Sequence, residues 1–141
     1  MGKINLGRVI LGGIVAGFII NLFEYVLNGI VLAGQWTDLM TSLNRPQLGM
    51  NEIAAFNVMS FVLGFAAVWT YAAIRPRFGA GPKTAVYAAL LIWVVGYALA
   101  DAQSFVSGIF TSSILVALVG VGLVEIVVAT VAGAFFYKET A

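Results

Sequence analysis

The sequence predicts an all-α membrane protein, an antiparallel bundle of four transmembrane helices with a short amphipathic helix in the first external loop. Composition is the first reason: 62% of the 141 residues are hydrophobic and 9% are charged, whereas about a quarter of the residues of a soluble domain are charged. The mean hydropathy is +1.03. The apolar residues also form four continuous runs, not the alternating pattern of a transmembrane barrel.

Each apolar run is long enough to cross a bilayer as a helix, because about 20 residues rising about 1.5 Å each cover about 30 Å of hydrocarbon. The runs are Val9–Val31, Ile53–Ile74, Thr84–Ala100 and Ile114–Tyr137. They leave no room for a soluble domain, so residues 1–141 are predicted to form a single membrane domain. The first run continues to about Ala33, beyond the usual length of a signal peptide, and we expect it to be retained.

Basic residues predict the orientation. Six of them precede the first run, lie between the second and third runs or follow the fourth: Lys3, Arg8, Arg75, Arg77, Lys83 and Lys138. The other two connections carry only Arg45. Because cytoplasmic loops are enriched in Lys and Arg, we expect a multi-pass protein of the inner (cytoplasmic) membrane with both termini in the cytoplasm.

The first external loop contains a helical pattern of its own. Apolar residues recur every three or four positions at Trp36, Leu39, Met40 and Leu43, which indicates an interfacial amphipathic helix that ends before Pro46. The sequence also predicts where three of the long helices begin, from a proline suited to a first helical position and from residues that can cap a helix N-terminus. These are Pro82 at the first position of the third helix, Asn51 before the second, and Ser112 or Ser113 before the fourth.

The first and fourth helices each carry a face of small and polar residues. On the first helix this face contains Gly13, Gly17, Asn21, Glu24 and Asn28, and on the fourth Gly122, Glu125, Ala129 and Gly133. Lipid disfavours such faces, so they are predicted to turn inward, with Gly13, Gly17, Gly122 and Gly133 at close helix contacts. At about 1.5 Å per residue, Glu24 lies roughly 8 Å below the outer edge and Glu125 roughly 17 Å below it. This offset predicts a polar path opening outward.

Neither glutamate has a Lys, Arg or His within the four runs to neutralise it. Because an unpaired charge in the bilayer costs at least about 3 kcal/mol, three solutions are open: protonation, a bound cation, or a water-filled cavity. The candidate polar, ion or proton site therefore comprises Glu24 and Glu125, with the amides of Asn21, Asn28 and Asn57. The alternative is that these residues only fix the pairing of the helices.

The chain lacks cysteine and histidine. This removes thiol chemistry, the usual ligands of zinc, haem and iron-sulfur clusters, and the commonest general base. We therefore expect no enzyme, no cofactor and no metal site, although Glu and Asn could in principle support acid-base work on a lipid. The net charge of +1 and the scattered basic residues exclude a nucleic-acid partner.

Two functions are compatible with the pattern. The first is a non-enzymatic bundle in the lipid bilayer that assembles with itself or with a larger membrane complex, as the small-residue faces indicate. The alternative is a small proton- or cation-coupled transporter that uses Glu24 and Glu125.

In size, span count and charge layout, the chain resembles the small four-helix membrane proteins of bacteria whose families have no assigned function. The segment Gln35-Trp36-Thr37-Asp38-Leu39-Met40 is similar to that of some of these proteins. The resemblance covers the whole chain loosely and implies no functional residue. Small multidrug transporters are similar in having four short helices and a carboxylate in the first, but Glu125 and the external helix depart from that pattern.

Overall fold

The computed structural model describes residues 3–139, and their secondary structure is entirely helical. In chain order the α-helices are α1 (Leu6–Val26), α2 (Ala33–Ser42), α3 (Met50–Phe78), α4 (Pro82–Trp93), α5 (Leu99–Val106) and α6 (Ser112–Phe135). Two π-helical turns interrupt this series. Leu27–Val31 extends α1, and Val94–Ala98 joins α4 to α5.

Four helical segments are long and apolar enough to cross a membrane, which confirms the predicted all-helical class and indicates a multi-pass membrane protein. They are Leu6–Val31, Met50–Phe78, Pro82–Val106 and Ser112–Phe135. The third segment extends beyond its predicted end at Ala100. Asp101 is half-buried, so this polar residue lies within the helix and does not end it.

The connection between the second and third spans is shorter than predicted. The helix α3 continues through Pro76 to Phe78, because a proline in the last turn removes a single hydrogen bond near the helix end. The chain then reverses at Gly79 and Gly81, whose φ angles of 87° and 130° favour glycine. As predicted, Pro82 begins the third span.

The predicted helix caps were wrong. Gly49, and not Asn51, precedes α3, and its backbone N–H donates to Glu52 Oε2 at 2.9 Å. Thr111 precedes α6, where its hydroxyl accepts from the amide three residues later at 3.3 Å. Each true cap lies one or two residues before the predicted one, within the usual uncertainty of a helix boundary.

The predicted helix of the first connection is present as α2. On one side of it Trp36, Leu39 and Met40 are half-buried, while Thr37 and Asp38 are exposed. No residue of α2 is fully buried. This helix therefore rests on the remainder of the molecule without being part of its core.

The α1–α3 contact is made by glycines. A Cβ atom added at Gly64 would lie 2.5 Å from the backbone N of Gly17 and 2.7 Å from the carbonyl O of Gly13. Phe61 covers Gly17, and Phe65 covers Gly13. The two backbones therefore approach as closely as in other small-residue contacts between membrane helices.

The α1–α6 contact is equally close. A Cβ atom added at Gly12 would lie 2.5 Å from the carbonyl O of Gly133, and one added at Gly133 would lie 2.6 Å from that of Gly12. Nearer the chain ends, the backbone N–H of Asn5 donates to the Tyr137 hydroxyl at 3.4 Å. These contacts run in opposite directions along the chain, so α1 and α6 are antiparallel.

Small side chains are frequent in the core, whereas many large apolar side chains point outward. Fully buried alanines contributed by α1, α3, α4 and α6 include Ala16, Ala67, Ala85, Ala88, Ala89 and Ala129. Among the large residues, Phe18 is 67% exposed and Phe135 is 83% exposed. This distribution suits a protein whose outer surface contacts lipid.

Candidate functional site

Glu24 lies near the C-terminal end of α1, and its carboxylate accepts a hydrogen bond from the same helical span. Asn28 Nδ2 donates to Glu24 Oε2 at 2.5 Å, and Asn28 Oδ1 accepts from Trp36 Nε1 at 2.9 Å. The amide of Asn28 therefore links the carboxyl group to α2. Both Glu24 and Asn28 are half-buried.

Glu125 lies in the middle of α6 and is completely buried. The Tyr97 hydroxyl donates to Glu125 Oε1 at 2.5 Å. The ring of Tyr97 packs on Gly122, where an added Cβ would lie 2.5 Å from Cδ1 of the ring. Gly122 therefore leaves the space that lets this phenol reach the carboxyl group.

The carboxyl groups of Glu24 and Glu125 lie within reach of each other, although no hydrogen bond joins them without a proton. The sequence predicts that the two residues lie at separate depths, and their backbones are offset along the helix pair, yet the two carboxyl groups approach each other. The Gly12–Gly133 register leaves the two Cα atoms about one turn apart, or about 6 Å. Because side chains lean toward the N-terminus of their helix, those on antiparallel helices lean toward each other here and meet.

The second oxygen of Glu125 lacks a donor. Among residues 3–139, Glu125 Oε2 is buried and accepts no hydrogen bond. No ion pair with Glu24 or Glu125 occurs in this part of the chain, where Arg75 pairs with Glu139 at 3.7 Å. Asp101 is half-buried and acts electrostatically on Glu24 and Tyr97. Within residues 3–139, Glu24 and Glu125 thus lie near each other without a basic partner.

Two of the predicted site residues lie outside this carboxyl cluster. Asn21 Nδ2 donates to the carbonyl O of Gly17 at 2.9 Å and to that of Asn57 at 3.3 Å, which joins α1 to α3. The Asn57 side chain is exposed. The cluster therefore contains Asn28 but not the amide groups of Asn21 and Asn57, because α3 faces the glycines of α1 and not its carboxylate.

Both π-helical turns lie at the cluster. Asn28, which donates to Glu24, belongs to the turn Leu27–Val31, and Tyr97, which donates to Glu125, belongs to the turn Val94–Ala98. A π turn redirects the side chains that follow it and occurs frequently at functional sites. The local departures from α-helical geometry thus coincide with the two hydrogen-bond donors to the carboxyl pair.

Sequence reasoning missed the roles of Tyr97 and Trp36. It gave Tyr97 no place in the site and Trp36 only a position on the apolar side of the interfacial helix. The available signal was chemical, because a phenol O–H or an indole N–H in an apolar setting usually finds an acceptor. The nearest acidic or amide side chains would have been the first candidates.

Neither of two apolar cavities is lined by Glu24 or Glu125. The larger one, of about 420 Å³, is lined by Ala98, Ala102, Leu115, Val116, Val119 and Gly120. Within residues 3–139, no group of three or more His, Cys, Asp or Glu side chains is arranged to hold a metal ion.

Comparison of the chain with protein-family models, with curated proteins and with solved structures gives no match.

Proposed function

We propose that this protein is a non-enzymatic membrane protein that carries protons, and that Glu24 and Glu125 bind and release the transported proton. The close approach of their carboxyl groups is the main support. Two ionised carboxylates repel each other when buried together, whereas one proton between them supplies the missing hydrogen bond. The buried, unpartnered Oε2 of Glu125 is the atom that such a proton would satisfy.

A proton fits this site better than a larger cation. The two carboxyl groups already lie within reach of each other, so a larger ion between them would push them apart. Mono- and divalent cations also prefer several oxygen ligands, whereas a proton needs only a donor and an acceptor. Transfer would then break the O–H bond at one carboxyl group and form it at the other, with charge moving by one elementary unit.

The hypothesis of assembly with other chains loses its original motive. The small residues that prompted it pack inside the chain, where Gly13 and Gly17 contact α3, Gly133 contacts α1, and Gly122 contacts Tyr97. These faces are therefore occupied without a partner.

The proposal includes an orientation. Both termini face the cytoplasm, the four spans form an antiparallel bundle in the inner membrane, and α2 lies in the outer interface. Glu24 is then the carboxyl group nearer the outer side, and Glu125 the one nearer the membrane centre. Protons would pass between the outer side and Glu125 by way of Glu24.

Proton flux into proteoliposomes tests this function. A potassium diffusion potential drives the flux, and a pH-sensitive dye inside the vesicles reports it. Glu24→Gln and Glu125→Gln keep the size of the side chain but cannot carry the proton, so we expect flux to fall by about 10²-fold or more, as for loss of other proton-transfer groups. Asp38→Asn is the matched control, because Asp38 is an exposed carboxylate of α2.

Equal flux in the wild-type protein, Glu24→Gln and Glu125→Gln would contradict the proposal, as would wild-type flux no higher than that of protein-free vesicles. Circular dichroism of the same preparations checks that every variant keeps its helical content.

A further inference from the structure

The helix α2 lies over the outer side of the carboxyl cluster and is tied to it by one side chain. Trp36 Nε1 donates to Asn28 Oδ1 at 2.9 Å, and the same Asn28 amide donates to Glu24 Oε2 at 2.5 Å. A continuous series of hydrogen bonds thus leads from α2 to the outer carboxyl group. Within reach of the Glu24 carboxyl group lies that of Glu125, which accepts from Tyr97.

Trp36 also joins the two outer connections. Its ring meets that of Phe110 edge to face, with centroids 5.6 Å apart, and Phe110 lies between α5 and α6. The indole therefore contacts both the α5–α6 connection, through Phe110, and the Asn28 amide that donates to Glu24. No other side chain of α2 hydrogen-bonds to a residue of the four spans in the described part of the chain.

The remainder of α2 is weakly attached. It contains no fully buried residue, and its threonine and serine hydroxyls donate to carbonyls within α2 itself. At one end it follows the π turn Leu27–Val31, and at the other Asn44 has a φ of 57°. Segments with few buried contacts open at low free-energy cost, so α2 can separate from the spans without unfolding them.

We propose that α2 is a lid that controls the access of external water to Glu24, and that the Trp36 indole N–H is its latch. The role of the lid in proton transfer rests on the proposed proton-carrying function, whereas the movement of α2 and the exposure of Glu24 do not. With the lid closed, the Asn28 amide is held between Trp36 and Glu24. With the lid open, Asn28 is free to turn, and water reaches the half-buried carboxyl group.

Carbodiimide labelling of the purified protein in lipid nanodiscs measures this access directly. A water-soluble carbodiimide activates an accessible carboxyl group, an added amine converts it to an amide, and mass spectrometry quantifies the product at Glu24. Asp38, an exposed carboxylate of α2, is the internal reference for reagent activity. The readout needs no proton transport.

Trp36→Phe removes the N–H donor and keeps an aromatic ring against Phe110. A hydrogen bond of this kind contributes about 1 kcal/mol net, so we expect labelling of Glu24, normalised to Asp38, to rise about fivefold. Trp93→Phe is the matched control, because the Trp93 indole donates at 2.9 Å to the carbonyl O of Val119, away from the lid. It should leave labelling unchanged.

Phe110→Leu provides a second test, because it removes the ring contact on the other side of Trp36 and should also raise the labelling of Glu24. Labelling that is the same in the wild-type protein, Trp36→Phe and Phe110→Leu overturns the lid. If labelling rises as expected while Glu24→Gln leaves proton flux unchanged, the lid stands and the proton-carrying function fails. If Glu24→Gln abolishes flux while labelling stays constant, the lid fails and the function stands.

Discussion

The contact between Gly12 and Gly133 sets the register in which the two glutamates meet, and one substitution tests it. Gly133→Ala would place a Cβ 2.6 Å from the carbonyl O of Gly12 and 2.6 Å from Cγ2 of Val68. Ordinary contacts at such an atom are 3.4–4 Å. The backbone of α1 cannot rotate away as a side chain could, so α1 and α6 must separate by about 1 Å.

The expected change in the free energy of unfolding is the sum of two opposing contributions. Overpacking a close contact costs about 1–3 kcal/mol, while replacing glycine by alanine within a helix favours folding by about 0.5–1 kcal/mol. Gly120→Ala supplies the second term alone, because an added Cβ at Gly120 meets nothing within 4 Å. Both glycines lie in α6. The difference between the two variants therefore isolates the helix contact, at about 1–3 kcal/mol.

Reversible unfolding in mixed detergent micelles, followed by circular dichroism, measures this difference. We expect Gly133→Ala to unfold at a lower denaturing-detergent fraction than the wild-type protein, and Gly120→Ala at an equal or higher one. The separation of the helices should also draw Glu24 away from Glu125 and reduce proton flux in Gly133→Ala alone. Equal stability of the two variants would refute the close α1–α6 contact.

Two further substitutions address polar groups of the core. Tyr97→Phe removes the donor to Glu125 and should destabilise the protein by about 1–3 kcal/mol in the same assay, as expected when a buried acceptor loses its partner. The control is Tyr25→Phe, at a residue that is 66% exposed, and it should have no effect. Equal losses of stability in both variants would contradict the hydrogen bond from Tyr97 to Glu125. Thr130→Val replaces a fully buried hydroxyl that has no hydrogen-bond partner in the described residues. Because the shape is kept and an unsatisfied polar group is lost, stability should stay the same or rise by about 1 kcal/mol, whereas a clear loss would indicate a bonded hydroxyl.

Composition and spacing were sufficient to predict the four long helices and α2. Continuous apolar runs have no stable alternative to a helix in lipid, since every backbone polar group must be satisfied within the segment. Helix ends were less predictable. Pro76 continues a helix near its end, and Thr111 rather than a following serine caps α6, because neighbouring residues with similar capping ability compete over one or two positions.

The presence of a polar site near Glu24 and Glu125 also follows from the sequence alone, because two carboxylates in apolar helices require special surroundings. Which residues form the site does not follow from the sequence alone. Asn21, Asn28 and Asn57 were equal candidates by residue type and depth, yet Asn28 alone has its amide bonded to a carboxyl group. Which amide reaches the carboxyl group depends on the rotation of each helix about its axis.

The sequence by itself determined the helical class, the number of spans and the acidic residues that need a partner, since these depend on hydrophobicity and local hydrogen bonding. Tertiary structure alone decided that the two carboxyl groups approach each other, that Tyr97 serves Glu125 and that Trp36 reaches Asn28. Those contacts depend on the Gly12–Gly133 register and on two π turns. A one-turn offset along antiparallel helices becomes a contact only when the packing brings the leaning side chains face to face.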